Sequence, residues 1–259
     1  MRPQPLSVSE LQVVRGGRAL LDGISLDVQS GELVIVVGPN GAGKSTLVGA
    51  LFGWTGIDGG VVECEGTSVG KLSGVERAAR LGWLPQRASL AEPTPVIEQV
   101  MAARFRIRES RAQRLKHALE ALERVGLRHL AERDGTSLSG GEAQRVSLAA
   151  LIAQDARTWL LDEPANHLDP RVQTELMQIV LGEWRAGKTV VLVTHDPDRV
   201  LARVTEGPAR VVGLRDGRVT FELSAHADAL PSALSDLYDV PVTAIIVAGR
   251  RRFLFGVQA

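Results

Sequence analysis

The sequence predicts an α/β fold, with a parallel sheet at its core, an antiparallel β subdomain and an inserted α-helical subdomain. Continuous apolar runs at 33–37 and 190–193 are typical of strands that are buried on both faces of a parallel sheet. Alternating polar and apolar residues at 6–14 and 24–28 predict half-buried strands. A long segment with helical periodicity, 98–125, separates the early strands from the later ones.

The remaining elements follow from apolar patterns and from the residues that end them. An Asp-Gly pair at 216–217 predicts a hairpin turn between two strands, and Gly53 is expected to end the first helix. The predicted helices are 44–52, 140–154, 171–184 and 231–238. The further predicted strands are 61–65, 158–161, 211–214 and 219–223, with two short strands in the tail after residue 226.

The segment 98–125 carries an apolar face and many arginines. Its apolar face is formed by Leu115, Ala118, Leu119, Leu122 and Val125, at spacings of three and four. The arginines either meet an anionic partner or form a solvated helix face, and the second interpretation is favoured. They are Arg104, Arg106, Arg108, Arg111 and Arg114.

Bulk composition excludes several classes of protein. The 259 residues suffice for one large α/β domain or a core with a small subdomain, and the 30 basic residues are balanced by 30 acidic ones. We expect no nucleic-acid partner, because a surface that follows phosphates needs a basic bias. The single cysteine, Cys64, rules out an internal disulfide. No signal peptide or membrane helix is expected, so any membrane role would come through a partner.

A glycine-rich motif follows the apolar strand 33–37. Gly38, Gly43, Lys44 and Ser45 meet the pattern G-x-x-x-x-G-K-[ST]. Glycines let successive N–H groups turn inward onto phosphate oxygens, and the helix N-terminus adds partial positive charge. We expect Lys44 to bridge the β- and γ-phosphates, Ser45 to ligate Mg²⁺ and Thr46 to support the phosphates. The motif predicts a P-loop NTPase core, and its loop is Pro39, Asn40, Gly41 and Ala42.

Two later strands end in polar residues. Asp162 and Glu163 follow the apolar run 158–161, and His195 follows the run 189–193. The carboxyl ends of parallel strands are where ligands bind in α/β sheets. Asp162 is expected to hold Mg²⁺ through its hydration shell, and Glu163 to polarise the attacking water. His195 is expected to lie beside Glu163, contact the γ-phosphate and sense its loss.

A third motif narrows the general prediction of a P-loop NTPase to a resemblance with one family. Residues 138–142 read Leu-Ser-Gly-Gly-Glu and are followed by Gln144 and Arg145, which resembles the signature sequence of the ATP-binding cassette (ABC) family. Gln86 stands in a run similar to the Q-loop of that family, and Asp169 ends a run similar to the D-loop. These motifs occur in the family's order, and the resemblance covers nearly the whole chain.

The resemblance implies a head-to-tail pair of two copies with two ATP molecules between them. The signature residues would complete the ATP site of the partner copy, Gln86 would reach Mg²⁺, and Asp169 would lie at the dimer contact. These signature residues are Ser139, Gly140, Gly141 and Glu142. The implied ATP-binding core is 1–87 with 136–225, the helical subdomain is 88–135, and a C-terminal extension is 226–259.

One position departs from the family pattern. An aromatic residue that stacks on adenine usually precedes the turn at Gly16, but Val14 and Arg15 stand there in this chain. Either Arg15 stacks on the base through a cation–π contact, or the base is held loosely. The hypothesis in both cases is weak selectivity between ATP and GTP.

The tail resembles one group within the family. Residues 234–242, which include Tyr238, resemble the end of ATPase subunits that serve iron-siderophore, haem and cobalamin importers, as does the run 83–90. The resemblance implies a separate ATPase subunit at the cytoplasmic face of the inner membrane. Its partners would be integral membrane permease subunits and, indirectly, a substrate-binding protein. A zinc or manganese importer, an exporter and a soluble iron–sulfur assembly ATPase remain open.

Overall fold

The computed structural model describes residues 4–88 and 93–256, which divide into two compact units. The first unit, called the cradle unit below, combines the described residues of 1–72 and 187–259. The second, called the signature unit, is 73–186. Ser89 and Leu90, which end the importer-like run 83–90, lie outside the described residues. The domain boundaries given from the sequence stay a prediction.

The strands and helices of the described residues are numbered in chain order. The strands are β1 (Leu6–Arg15), β2 (Arg18–Val28), β3 (Leu33–Val37), β4 (Gly59–Cys64), β5 (Thr67–Ser68), β6 (Leu81–Leu84), β7 (Thr158–Asp162), β8 (Thr189–Val193), β9 (Ala209–Arg215), β10 (Arg218–Ser224), β11 (Val242–Val247) and β12 (Arg250–Phe255). The helices are α1 (Lys44–Phe52), α2 (Gly74–Arg80), α3 (Val96–Ala102), α4 (Arg111–Arg124), α5 (Gly140–Gln154), α6 (Pro170–Arg185), α7 (Pro197–Leu201) and α8 (Leu230–Tyr238).

The cradle unit contains both an antiparallel sheet and a mainly parallel one. The antiparallel sheet has the order β2-β1-β4-β5. In the other sheet β3 lies between β8 and β9 and is parallel to both, while β10 pairs antiparallel with β9. All five residues of β3 are buried, as expected of a strand covered on both faces. The α/β fold class with parallel and antiparallel parts is therefore confirmed.

The signature unit combines a parallel strand pair with helices. Strands β6 and β7 are parallel, and Leu84 lies opposite Leu161 in their register. Helices α3, α4 and α5 pack pairwise against one another. No helix in the ranges that the structure describes is long and apolar enough to cross a bilayer.

The segment 98–125 differs from the expectation of a continuous helical pattern. It forms two helices, α3 and α4, and residues 103–110 between them do not continue either helix. The solvated-face interpretation is wrong for Arg104, which is buried, pairs with Glu109 and donates to the carbonyl of Ala153. Leu115, expected on the apolar face, is exposed. Arg104 can bond both partners at this break because its guanidinium carries several donors in one plane.

Further elements compare with the sequence expectations as follows. Strand β2 begins at Arg18 rather than near residue 24, because it pairs with β1 back to the tight turn. Helix α2 and strand β6 were not predicted, although Ser73 and Glu76 form a capping box at the start of α2. The tail was predicted correctly, with one helix and two short strands.

Candidate functional site

The glycine-rich loop leaves the carboxyl end of β3 and enters α1. Gly38 has φ +154, and a Cβ added there would lie 2.0 Å from the carbonyl oxygen of Leu214 on β9. Gly43 has φ +101, and a Cβ there would lie 2.6 Å from the carbonyl oxygen of Leu20. Any larger residue would displace the loop from β9 or from β2. The two motif glycines are therefore required by the packing of the loop.

Lys44 is folded back over the loop that precedes it. Its Nζ donates to the carbonyl of Gly38 at 2.7 Å and to that of Pro39 at 3.0 Å, and the residue is buried. Ser45 and Thr46 follow in the first turn of α1, where Ser45 is exposed and Thr46 half-buried. The helix start and the ammonium group lie in the same loop, which suits a phosphate chain.

His195 belongs to the cradle unit and follows the strand next to β3. Val36 on β3 pairs with Val193 on β8, and Gly38 and His195 each stand two residues beyond that pair. Thr194 donates its N–H to the carbonyl of Val36 at 3.1 Å. The register thus brings exposed His195 to the sheet edge that carries the phosphate cradle, as expected for a γ-phosphate sensor.

Arg15 is fixed at the end of β1. Its guanidinium donates to the carbonyl oxygens of Val14 and Gly56, each at 2.6 Å, and pairs with Asp58 at 3.0 Å. The backbone N–H of Val14 and then the guanidinium of Arg15 lower the pKa of the Asp58 carboxyl. Because the side chain remains 48% exposed, a face of the planar group can still meet a base. Adenine stacking by Arg15 stays a prediction.

In the signature unit, the two carboxylates stand at the end of β7. Asp162 is its last residue and is buried, and Glu163 follows with φ +47. Glu163 Oε2 accepts hydrogen bonds from the side-chain amides of Gln86 at 3.2 Å and Asn166 at 2.8 Å. Two amides on one oxygen fix the direction of the carboxylate. Such an orientation suits a group that positions water.

The signature motif forms the start of α5. Ser139 is the N-cap, and its Oγ accepts from the N–H of Glu142 at 3.3 Å. In return Glu142 Oε2 accepts from the N–H and the hydroxyl of Ser139, both at 2.8 Å. These bonds hold the pKa of the Glu142 carboxyl below its ordinary value. Gly140 and Gly141 form the first turn, and the first N–H groups of a helix have no acceptor within the helix.

Gln144 is a residue whose role sequence reasoning missed. It is buried in α5, donates to the carbonyl of Pro85 at 2.9 Å and accepts from the N–H of Ala88 at 2.9 Å. These two groups lie on either side of the pair Gln86 and Arg87. A glutamine among buried positions of a helix was the available signal, because buried amides need partners. Gln144 therefore ties the signature helix to the Q-loop.

Asp169 has a definite structural role at the start of α6. Its Oδ1 accepts from the N–H groups of Arg171 at 3.0 Å and Val172 at 3.1 Å, and Pro170 occupies the first helical position. This is ordinary N-capping. The dimer-contact role of Asp169 stays a prediction, and its exposure is compatible with both roles.

The signature unit contains a cavity where three predicted motifs meet. Its volume is about 580 Å³, within the range of small-molecule sites. The lining comes from the Q-loop (86–88), the start of α5 with its cap (139–142, 144 and 145) and the D-loop region (166–169 and 172). The structure therefore brings the Q-loop, signature and D-loop residues together. The cradle unit likewise brings the glycine-rich loop and His195 to one edge.

Comparisons with known proteins agree with this arrangement. A sequence profile described as ABC transporter matches residues 21–166. The chain is 41% identical to a hemin import ATP-binding protein, HmuV, of Streptomyces coelicolor, over 90% of this chain and 82% of the relative. The sequence-based prediction of the family and its haem, siderophore and cobalamin importer group is confirmed at this level.

Two solved structures are similar along most of the chain. One, from an inward-facing conformation assigned to the metal-chelate type of ABC transporter, has a TM-score of 0.79 at 25% identity and covers 98% of each chain. Another is an ATP-binding cassette solved as a dimer in a post-hydrolysis state with ADP and phosphate. It has a TM-score of 0.76 at 27% identity, over 86% of this chain and 99% of that one.

Proposed function

The chain belongs to the ABC transporter family and is an ATPase, and we propose that it powers a membrane importer of a metal chelate, with haem as the first candidate. The similarity to a hemin import protein over nearly the whole chain supports the substrate class. The geometry supports the coupling, because Gln86 of the Q-loop donates directly to Glu163, the candidate for polarising water. That hydrogen bond is the observation that carries the proposal.

The cradle holds the triphosphate of ATP. Lys44 would exchange its bonds to the carbonyls of Gly38 and Pro39 for bonds to β- and γ-phosphate oxygens. A charge-assisted bond to phosphate is stronger than one to a neutral carbonyl, so the exchange favours nucleotide binding. Backbone N–H groups of the loop and of the first turn of α1 supply the remaining donors, and Thr46 supports them.

Mg²⁺ fits the oxygen donors that the chain offers. The hydroxyl of Ser45, the side-chain oxygen of Gln86 and the carboxylate of Asp162 are hard ligands, which Mg²⁺ prefers. Within residues 4–88 and 93–256, no group of three or more His, Cys, Asp or Glu side chains is placed to hold a metal. Mg²⁺ in such enzymes commonly uses few protein ligands together with substrate phosphates. When bound, it would neutralise charge on the phosphates.

Hydrolysis rests on Glu163 and His195. Glu163, directed by Gln86 and Asn166, orients and polarises the attacking water. His195 contacts the γ-phosphate and responds to its loss. Phosphoryl transfer needs positioning and charge neutralisation rather than covalent chemistry, which is what these side chains supply.

Two copies act together. Ser139, Gly140 and Gly141 of one copy present the start of α5 to the ATP held by the other, with Asp169 at the contact between copies. Closure around ATP moves the Q-loop and the permease subunits that dock near it. The γ-phosphate meets the signature residues of the other copy only in the closed state, so ATP binding shifts the equilibrium towards closure. The chain would sit at the cytoplasmic face of the membrane, and a substrate-binding protein would deliver the chelate.

The first test uses a variant that binds ATP without hydrolysing it. Tagged Glu163→Gln protein is purified with ATP from solubilised membranes, and co-purifying proteins are identified by mass spectrometry. We expect a polytopic permease together with a substrate-binding protein. In size-exclusion chromatography the same variant with ATP should elute as a dimer, whereas exposed Glu132→Gln should behave as wild type.

Each alternative has its own outcome. A permease without a binding protein indicates an exporter, and only soluble partners indicate a cytosolic assembly ATPase. The same complex, prepared with the wild-type chain and placed in lipid vesicles, is then given hemin, a ferric siderophore, cobalamin, Zn²⁺ or Mn²⁺ with its binding protein. Stimulation of ATP hydrolysis by hemin supports the proposal, and stimulation by Zn²⁺ or Mn²⁺ alone contradicts it.

A further inference from the structure

The C-terminal extension reaches the phosphate cradle through the single tyrosine of the chain. Tyr238 is the last residue of α8, and its hydroxyl accepts a hydrogen bond from the backbone N–H of Gly38 at 3.0 Å. Both residues belong to the cradle unit. None of the roles derived above for ATP binding or hydrolysis uses this contact.

Gly38 is also the residue whose carbonyl holds Lys44. Its N–H donates to Tyr238, and its carbonyl accepts from Lys44 Nζ at 2.7 Å. The carbonyl oxygen of Leu214 lies so close to Gly38 that no side chain would fit at this position. The tyrosine hydroxyl and the lysine ammonium therefore act on the two adjoining peptide groups of Gly38. A shift of the Tyr238 hydroxyl therefore moves Gly38, whose carbonyl accepts the hydrogen bond from Lys44.

Tyr238 is itself held in place by the surrounding elements. Arg215 at the end of β9 pairs with Asp239, the C-cap of α8, at 3.1 and 2.6 Å. The ring of Phe255 on β12 packs edge-on against the tyrosine ring, with 5.6 Å between centroids. The hydroxyl is therefore presented to Gly38 by a fixed ring.

A second attachment joins the extension to the segment after His195. Asp198 on α7 accepts hydrogen bonds from the guanidinium of Arg252 at 2.6 to 3.1 Å and from the N–H of Phe253 at 2.7 Å. Helix α7 begins two residues after His195. The extension is thus fastened both at the entrance of the cradle and just beyond the candidate γ-phosphate sensor.

We propose that Tyr238 is a positioning residue for ATP binding, whose hydroxyl fixes the backbone of Gly38 and through it the loop conformation from which Lys44 and the loop N–H groups reach the phosphates. The C-terminal extension then sets the affinity of the cradle for nucleotide. This inference rests on the proposed function, because it assumes that the cradle binds ATP. It assigns a task to a segment that the sequence motifs of the family leave unexplained.

The test removes the hydroxyl alone from the full-length protein. Tyr238→Phe keeps the ring against Phe255, while Ser235→Ala removes another hydroxyl of α8, whose partners Pro231 and Val242 lie within the extension. We expect Tyr238→Phe to raise the Kd for Mg-ATP roughly three- to ten-fold, the range for one lost hydrogen bond. KM for ATP should rise likewise with kcat within about two-fold, since the residue acts on binding.

Replacement of tyrosine by 3-fluorotyrosine supplies an independent measurement. The chain has one tyrosine, so the labelled protein gives a single ¹⁹F resonance. Because the hydroxyl is kept, ATP binding should be retained, and saturation with Mg-ATP should shift the resonance as Lys44 leaves the carbonyl of Gly38. An unmoved resonance counts against the link from Tyr238 to the cradle.

The outcomes separate this inference from the proposed function. Tyr238→Phe with the Kd of wild type overturns the positioning role. So does Ser235→Ala with an equal loss of affinity, because the effect would then be general loosening of α8. Wild-type protein that fails to bind Mg-ATP contradicts the proposed function itself, whatever the variants do.

Discussion

Helices α1 and α5 both have glycine at or directly before their first residue and both carry motifs that we assign to nucleotide phosphates, but their first turns are completed differently. The N-cap of α1 is Gly43, which has no side chain to offer, and the first turn holds no acidic residue. The N-cap of α5 is Ser139, whose hydroxyl caps the helix, and Glu142 returns a carboxylate to the same turn.

The two helix N-termini are therefore suited to different tasks. A helix N-terminus carries partial positive charge, which a carboxylate of its own partly compensates. Helix α1, with Lys44 nearby, is therefore the stronger anion site by itself. Helix α5 is stabilised by its own side chains and fits a site that meets phosphate only when a second copy brings it.

The largest expected effect is at the cradle. Lys44→Ala removes the ammonium group and should lower ATP turnover by about 10²-fold or more, because a charged donor to the transferred phosphate is lost. Turnover and nucleotide binding are measured together. Lys71→Ala, at an exposed position of the same unit, is the control and should match wild type. Equal activity of Lys44→Ala and wild type would show that the cradle does not handle phosphate.

A smaller effect is expected at the signature helix. Ser139→Ala removes the cap of α5 and should lower ATP hydrolysis by about ten-fold or more, by loss of a polar donor to the transition state. The free energy of unfolding should also fall by about 1 kcal/mol.

Ser73→Ala provides the matched control, because Ser73 and Glu76 form the same capping box on α2 in the same unit. It should cost the same stability and leave hydrolysis unchanged. If both variants lose hydrolysis equally, the role of Ser139 is only structural.

The third prediction concerns the loss of stability at acid pH. Bonds from Ser139 lower the pKa of Glu142, so their stabilisation is present above the ordinary pKa of glutamate and is lost as the pH falls through the lowered value. In Glu142→Gln this contribution should not titrate. Thermal unfolding followed between neutral and acid pH should therefore show a shallower fall in Tm for the variant. Identical pH profiles would remove Glu142 from the acid transition.

The smallest effect is expected at the base. KM for ATP and GTP should differ by less than about three-fold, because an aromatic stacking partner is replaced by Val14 and Arg15, and one weak contact discriminates little. Steady-state turnover with each nucleotide measures this. A large preference for ATP would show that another group reads the base.

Much of the site could be predicted because its motifs are local. The cradle motif, the acidic end of β7 and the cap of α5 are each recognised from residues within a few positions of one another. Phosphate cradles and helix caps need particular backbone conformations, and sequence spacing records these directly. The tail was predicted for the same reason, since its helix and hairpin are local.

Contacts distant in sequence could not be predicted. Arg104 reads as one more surface arginine, yet it closes the break between α3 and α4 by bonding Ala153 and Glu109. Gln144 is expected only as part of a motif, yet it bonds the backbone on either side of the pair Gln86 and Arg87. Sequence spacing does not indicate which groups Arg104 and Gln144 bond, because such bonds depend on how the helices pack.

The sequence by itself determined the α/β fold, the ABC family and the residues expected to meet nucleotide, because short-range backbone geometry demands those residue types. Only the tertiary structure decided what supports them. It placed His195 in register with the cradle through β3 and β8, directed Glu163 with Gln86 and Asn166, and brought Tyr238 to Gly38. Except for the bond from nearby Asn166, these pairings join residues far apart in the chain, so packing and strand register create them.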